Sequence, residues 1–268
     1  MRALSGVLGL SAHGHDVRAH GHPAVCRVVV VDDASSEADR AAMAREFPAF
    51  DFVHRAPHLK GHAHSLNLLF RLVETRYLLY FEDDWLALDG VAAAHVVDEP
   101  LAVLRHARAV REPLVQVLLN DQSSRACAYA VPGACGDDVL GTAGWPRQTH
   151  SAGIPYRLHE FGVVEPEHAF TYWPGVTLNP AMWDLGAMTC AFTEVLAARP
   201  FFDATDARFE QSFSLRAYDA GLRVAYLPRV AFAHIGVDES AYGLNNFSRP
   251  WEKVAGERRR PHGELPQG

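Results

Sequence analysis

No apolar run reaches the roughly 18 residues that a membrane-spanning helix needs, and the opening stretch, residues 1–10, is too short and too weakly basic for a signal peptide. The expectation is a soluble, cytoplasmic chain with no membrane span. Cysteine is scarce: Cys26, Cys127, Cys135 and Cys190 form no CxxC pair, which fits a reducing compartment better than a disulfide framework. Clustered positive charge is also missing. The formal charge is −7, and the one dense basic run, Arg258-Arg259-Arg260 after Glu257, reads as a solvated tail, so a general binder of nucleic acid is not expected. No linker, internal repeat or low-complexity tract divides the 268 residues. A chain of 49% hydrophobic and 21% charged residues can bury a full core, and one large α/β domain is the expectation.

What the chain does have is an apolar, aromatic segment that runs straight into acid: Tyr77-Leu78-Leu79-Tyr80-Phe81-Glu82-Asp83-Asp84-Trp85. Buried carboxylates without a compensating cation are costly, so a positive group is expected beside them. Side chains alternate along a strand, which turns Glu82 and Asp84 to one side, roughly 7 Å apart, and Asp83 to the other. Such hard oxygen ligands suit magnesium or manganese bridging to a substrate phosphate better than a dedicated protein cage. The same residues also read as an acidic turn capping the next helix. Two groups of histidines stand out among fifteen: His13, His15, His20 and His22, then His58, His62 and His64. The first lies in a Gly- and Ala-rich stretch without a period and reads as a loop shaped by composition.

Around this segment the pattern is strand and helix in turn. Residues 25–32 (VCRVVVVD) form a β-branched run ending in Asp32-Asp33-Ala34-Ser35-Ser36, which reads as a buried parallel strand followed by a helix cap. A helix over 38–46, a strand over 50–54, a helical face of Leu66, Leu69, Phe70 and Val73, and the strand at 77–82 follow. Short connections between alternating elements predict βαβ units and a parallel sheet. Ligands bind beyond the carboxyl ends of such strands, where Asp32, Asp33, Glu82 and Asp84 fall. Further on, the pattern predicts a helix over 91–108, a strand over 114–120, and covering loops over 121–168. It then predicts a short strand over 173–180, a helix carrying Leu185, Met188, Phe192 and Val195, a helix over 207–220 stopped by Gly221, and a strand over 222–227. Glu210 lies in the first turn of the 207–220 helix, where the dipole favours a carboxylate on its own account. Tyr172, Trp173 and Trp183 are candidates for an aromatic stacking surface, with core packing as the alternative.

Taken together these landmarks resemble the GT-A glycosyltransferases, most closely the inverting family-2-like enzymes, over residues 25–246. Val31-Asp32-Asp33-Ala34-Ser35-Ser36 is similar to the family's first acidic motif. Lys60-Gly61 with Ser65 and Asn67 is similar to the elements before the metal strand, and Glu82-Asp83-Asp84 stands in the place of the DXD motif. Residues 209–216 followed by 219–228 resemble the segment that carries the catalytic base, with Phe209 where the family often has another acid. Ala233-His234-Ile235-Gly236 stands where a histidine often helps to hold metal and diphosphate, and residues 240–246 resemble a tail found in a subset of these sequences.

The resemblance implies a single GT-A (Rossmann-like) domain, a mostly parallel sheet flanked by helices, over 25–246. Residues 25–120 would form the nucleotide-sugar half and 121–246 the acceptor side, between an irregular segment at 1–24 and a tail at 247–268. It implies a divalent Mn2+ or Mg2+ ion on Glu82, Asp84 and His234, and donor contacts from Asp32, Asp33, Ser35, Lys60, Asn67 and Asp83. Glu210 would be the base that activates an acceptor hydroxyl. The donor would be a nucleotide sugar such as a UDP-sugar, and the acceptor a glycan, a protein or a small molecule. One departure is that residues 2–10 align with the helix after the family's first strand, so two expectations stand side by side: a start upstream of Met1, or a sheet that lacks this strand and has an incomplete base pocket. Two other readings remain: an inactive transferase-like domain that binds a glycan or protein, and a sugar-phosphate nucleotidyltransferase. The second normally carries a Gly-rich loop with Arg and Lys after its first strand, which this sequence does not show.

Overall fold

The structure, a computed structural model, describes residue 8 and residues 22–120, 147–149, 153–159, 174–191, 201–229 and 231–234. The first unit follows the expectation. Strand β1 (Val29–Asp32) leads through helix α1 (Glu37–Glu46) to strand β2 (Asp51–His54), and the two strands pair in parallel with Val29 opposite Asp51. Ser36 starts α1 by accepting a hydrogen bond from the Asp39 N–H at 3.2 Å, which satisfies one of the donors a helix start leaves open. Helix α2 (His62–Leu72) then buries Ala63, Leu66, Asn67 and Phe70 and delivers the chain to strand β3 (Tyr77–Tyr80).

From β3 onward the sheet departs from the parallel arrangement. Strands β4 (Trp85–Ala87), β5 (Leu114–Leu118), β6 (Arg147–Thr149), β7 (Pro155–Leu158), β8 (Ala181–Asp184), β9 (Arg223–Tyr226) and β10 (Phe232–His234) complete the set. Six of them form one sheet in the order β3-β8-β5-β9-β7-β6. Only β5 and β9 run parallel, and every other neighbouring pair is antiparallel. The fold is therefore mixed α/β with a mostly antiparallel main sheet. The cause is β8, which lies between β3 and β5 and opposes both, with Met182 facing Leu79 on one side and Val117 on the other. No pairing joins β1 to β3 among the described strands. The strand expected over 173–180 instead falls at 181–184, and β6 and β7 lie where loops were expected.

Helices cover both faces of this sheet. On one face α2 and α5 (Phe209–Asp219) pack Leu66, Phe70, Phe209 and Phe213 against Tyr80, Trp183 and Phe202. On the other, α3 (Glu99–Ala109) and the turn before it pack Val96, Leu101 and Leu104 against Leu114, Val117, Met182 and Ala225. Strand alternation divides the two: Trp183 looks one way and Met182 the other. Each fully buried Phe or Leu contributes about 1.5–3 kcal/mol to this core. Trp183 is 0% exposed with its ring 5.4 Å from Phe70, so it packs the core and is no platform for a sugar. Tyr172 and Trp173 lie outside the described residues.

Candidate active site

The acids named above gather around the start of α2. Asp33, one residue beyond β1, accepts a hydrogen bond from the Gly61 N–H at 2.9 Å and another from the Ser65 hydroxyl at 2.9 Å. Gly61 sits at φ 149°, a backbone region that residues with a Cβ rarely adopt. The turn that carries Asp33 also holds Ala34 at φ 76°, strain of the kind that collects at functional sites. His62, the residue after Gly61, reaches the end of β3: its Nε2 lies 2.8 Å from Glu82 Oε1. The Tyr80 hydroxyl donates to the same oxygen at 2.8 Å. One helix start thus touches the acid ends of both β1 and β3.

Glu210, in the first turn of α5, completes the group. Its Oε1 accepts from the Thr177 hydroxyl and the Leu178 N–H, both at 2.9 Å, and the described residues give Oε2 no hydrogen bond. The 177–178 segment is set in turn by Gln116 of β5, wholly buried, which donates to the Thr177 carbonyl at 2.5 Å and accepts from its N–H at 3.1 Å. Burial pushes the Glu210 carboxyl above the usual range. The bonds from Leu178 and Thr177 pull it back, and Glu82 repels its charge while His62 favours it. For His62, burial opposes the charge, but Glu82, Glu210 and Asp33 together outweigh it and hold the imidazole above its ordinary value. Burial and then the neighbouring Glu82, Glu210 and Asp84 carboxylates push the Tyr80 phenol far up, so it stays a donor.

Searches against protein-family models, curated proteins and solved structures find no match to this chain. Its chemistry is read from its own geometry.

Several expected donor contacts are placed elsewhere. Asp32 is 5% exposed and faces α1 and β2, where it accepts from the Ser35 N–H at 3.1 Å, Arg40 Nε at 2.7 Å and His54 Nδ1 at 3.1 Å. Burial works against its ionisation, yet those bonds prevail and hold its carboxyl below the usual range. Asn67 spends both ends of its amide on the backbone of Phe202, donating to the carbonyl at 2.7 Å and accepting from the N–H at 3.0 Å. Ser35, Lys60 and Asp83 are exposed. Asp84 is half-buried just before β4, and β4 pairs with β10 so that His234 stands opposite Trp85. The His234 side chain lies outside the described residues.

Sequence reading gave no positioning role to three residues: His62, which it noted only within a histidine group, and Gln116 and Asn120, which it did not single out. Asn120 anchors β10 by donating to the Phe232 carbonyl at 2.8 Å and accepting from the N–H groups of Ala231 and Phe232 at 2.8 and 2.9 Å. A polar residue inside an otherwise apolar strand, as in Leu114-Val115-Gln116-Val117-Leu118, is the signal that marks such a clamp.

Among the described residues no three His, Cys, Asp or Glu side chains come together to hold a divalent ion, and Glu82 Oε1 takes two donors. No described helix is long and apolar enough to cross a membrane. A groove of about 1470 Å³ lies beside α2, between Leu68, Arg71 and Glu74 and the Cys190 end of helix α4 (Leu185–Ala191), and includes none of Asp33, Glu82 and Glu210. Convergence of charge, not concavity, marks the candidate site.

Proposed function

We propose that this chain is a glycosyltransferase that moves a sugar from a nucleotide diphosphate sugar to an acceptor hydroxyl with inversion. The observation that carries the reading is Glu210: a carboxylate with a raised proton affinity, fixed through one oxygen by Thr177 and Leu178. A general base needs both properties, a definite position and a pKa near working pH. In the proposed reaction Glu210 Oε2 takes the proton of the acceptor hydroxyl as its oxygen attacks the anomeric carbon. The bond from that carbon to the diphosphate breaks, and the nucleotide diphosphate leaves with the electron pair from the opposite face. Asp33 keeps spare lone pairs on both oxygens for a ribose hydroxyl or base N–H, and a UDP-sugar is the donor to test first.

Glu210→Gln keeps the shape of the side chain and removes its basicity. Turnover should fall by about 10²- to 10⁴-fold, with donor affinity unchanged by calorimetry. An equal loss of donor affinity, or full turnover in the variant, would defeat the assignment.

A further inference from the structure

We propose that Arg55 is a positioning residue of the donor site: it holds both of the groups that hold Asp33, and so fixes the carboxylate that a nucleotide meets. This role rests on the reading of Asp33 as a donor contact.

Arg55 follows directly on β2, and its backbone is tied to the end of β1. Its N–H donates to the Asp32 carbonyl at 3.0 Å, and its own carbonyl accepts from Arg40 Nη2 at 3.1 Å. Only 7% of its side chain and 17% of that of Asp33 are exposed. A carboxylate so far out of water needs a positive partner. Arg55 Nε supplies it: buried and without a hydrogen bond of its own, it stands 3.7 Å from Asp33 Oδ1, within ion-pair reach. The charge is thus offset without a lone pair of Asp33 being taken up.

The other two nitrogens set the donors to Asp33. A guanidinium can only donate. Arg55 Nη1 reaches the Ser65 hydroxyl at 3.2 Å, so the Ser65 oxygen accepts there and its single proton is left for Asp33 Oδ1, 2.9 Å away. Arg55 Nη2 donates to the Leu59 carbonyl at the end of the turn Pro57–Leu59. Two residues on is the Gly61 N–H that binds Asp33 Oδ2 at 2.9 Å. One planar fork serves both sides of the carboxylate, a task that suits arginine better than the point charge of lysine.

The test measures amide exchange at Gly61 by NMR in the free chain and UDP binding by calorimetry, with thermal unfolding to verify the fold of each variant. Arg55→Met keeps the buried stem and removes the charge and the donors. Gly61 should then exchange faster, and UDP bind more weakly, each by about 10-fold or more, the scale of a lost hydrogen bond to a charged group. Arg55→Lys restores the charge and should lie between Arg55→Met and wild type. Ser65→Ala should move both readouts in the same direction, and it decides the matter if Arg55→Met does not fold. Arg71→Gln, at an exposed position of α2, should change neither. Wild-type exchange and affinity in Arg55→Met or Ser65→Ala would overturn the inference. So would Arg55→Lys no better than Arg55→Met, which would reduce Arg55 to packing. A wild type that binds no UDP, with faster Gly61 exchange in Arg55→Met, would defeat the donor reading alone and leave Arg55 as the residue that holds Asp33.

Discussion

Asn67→Ala removes both ends of a buried staple. The Asn67 amide is the partner of the Phe202 N–H and C=O, at 3.0 and 2.7 Å, and Phe202 itself is 0% exposed and packs on Phe70, Phe209 and Phe213. Alanine leaves two buried backbone groups without these bonds. Each unmade buried bond costs about 1–3 kcal/mol, so the variant should lose roughly 2–6 kcal/mol of unfolding free energy. For a chain of this size that lowers Tm by about 2–4 °C per kcal/mol, or roughly 4–24 °C in all. Urea unfolding at fixed pH, followed by tryptophan fluorescence, reads the change directly. A loss below about 1 kcal/mol together with a large fall in nucleotide affinity would refute the reasoning and return Asn67 to the donor site.

Two further expectations concern protons. Thr177→Val deletes one of the two bonds that favour the ionised Glu210, so the carboxyl should rise further and the acid limb of the pH–rate profile should move to higher pH; a limb that stays or moves down counts against Glu210 as base. The Asp32 carboxyl is held below its ordinary value of 3.8. Its stabilising effect is therefore fully present above that value and lost as pH falls through the folded-state value. Asp32→Asn should be less stable than wild type by about 1–3 kcal/mol near pH 6, with the gap closing as pH falls below 3.8 and through the folded-state value; a gap that persists in acid would show that the carboxylate charge is not what matters.

The opening unit was legible because its signals are local. The Val28-Val29-Val30-Val31 run, the Ser36 cap and the 3.6-residue spacing of Leu66, Phe70 and Val73 each specify an element without help from the rest of the chain. Strand direction in the main sheet was not. The strand Ala181-Met182-Trp183-Asp184 is four residues between Pro180 and a helix, too short for a period to declare itself, and its insertion antiparallel to β3 and β5 is a long-range pairing choice. The acids of the site announced themselves as a run beyond an apolar strand, and the need for a positive partner followed from burial. Which cation that is was hidden, because His62 is one of a cluster with His58 and His64 and only the turn at Gly61 singles it out. Asn67 was noticed as part of a motif, but its partner, Phe202, is 135 residues away, beyond the reach of sequence pattern.

The most direct test of the account is calorimetric titration of UDP into the folded chain, in EDTA and again with manganese, beside Asp33→Asn and Glu210→Gln. The account predicts saturable binding that Asp33→Asn removes and Glu210→Gln preserves. Absence of binding in both buffers, or equal binding by Asp33→Asn, would contradict a donor site at the start of α2.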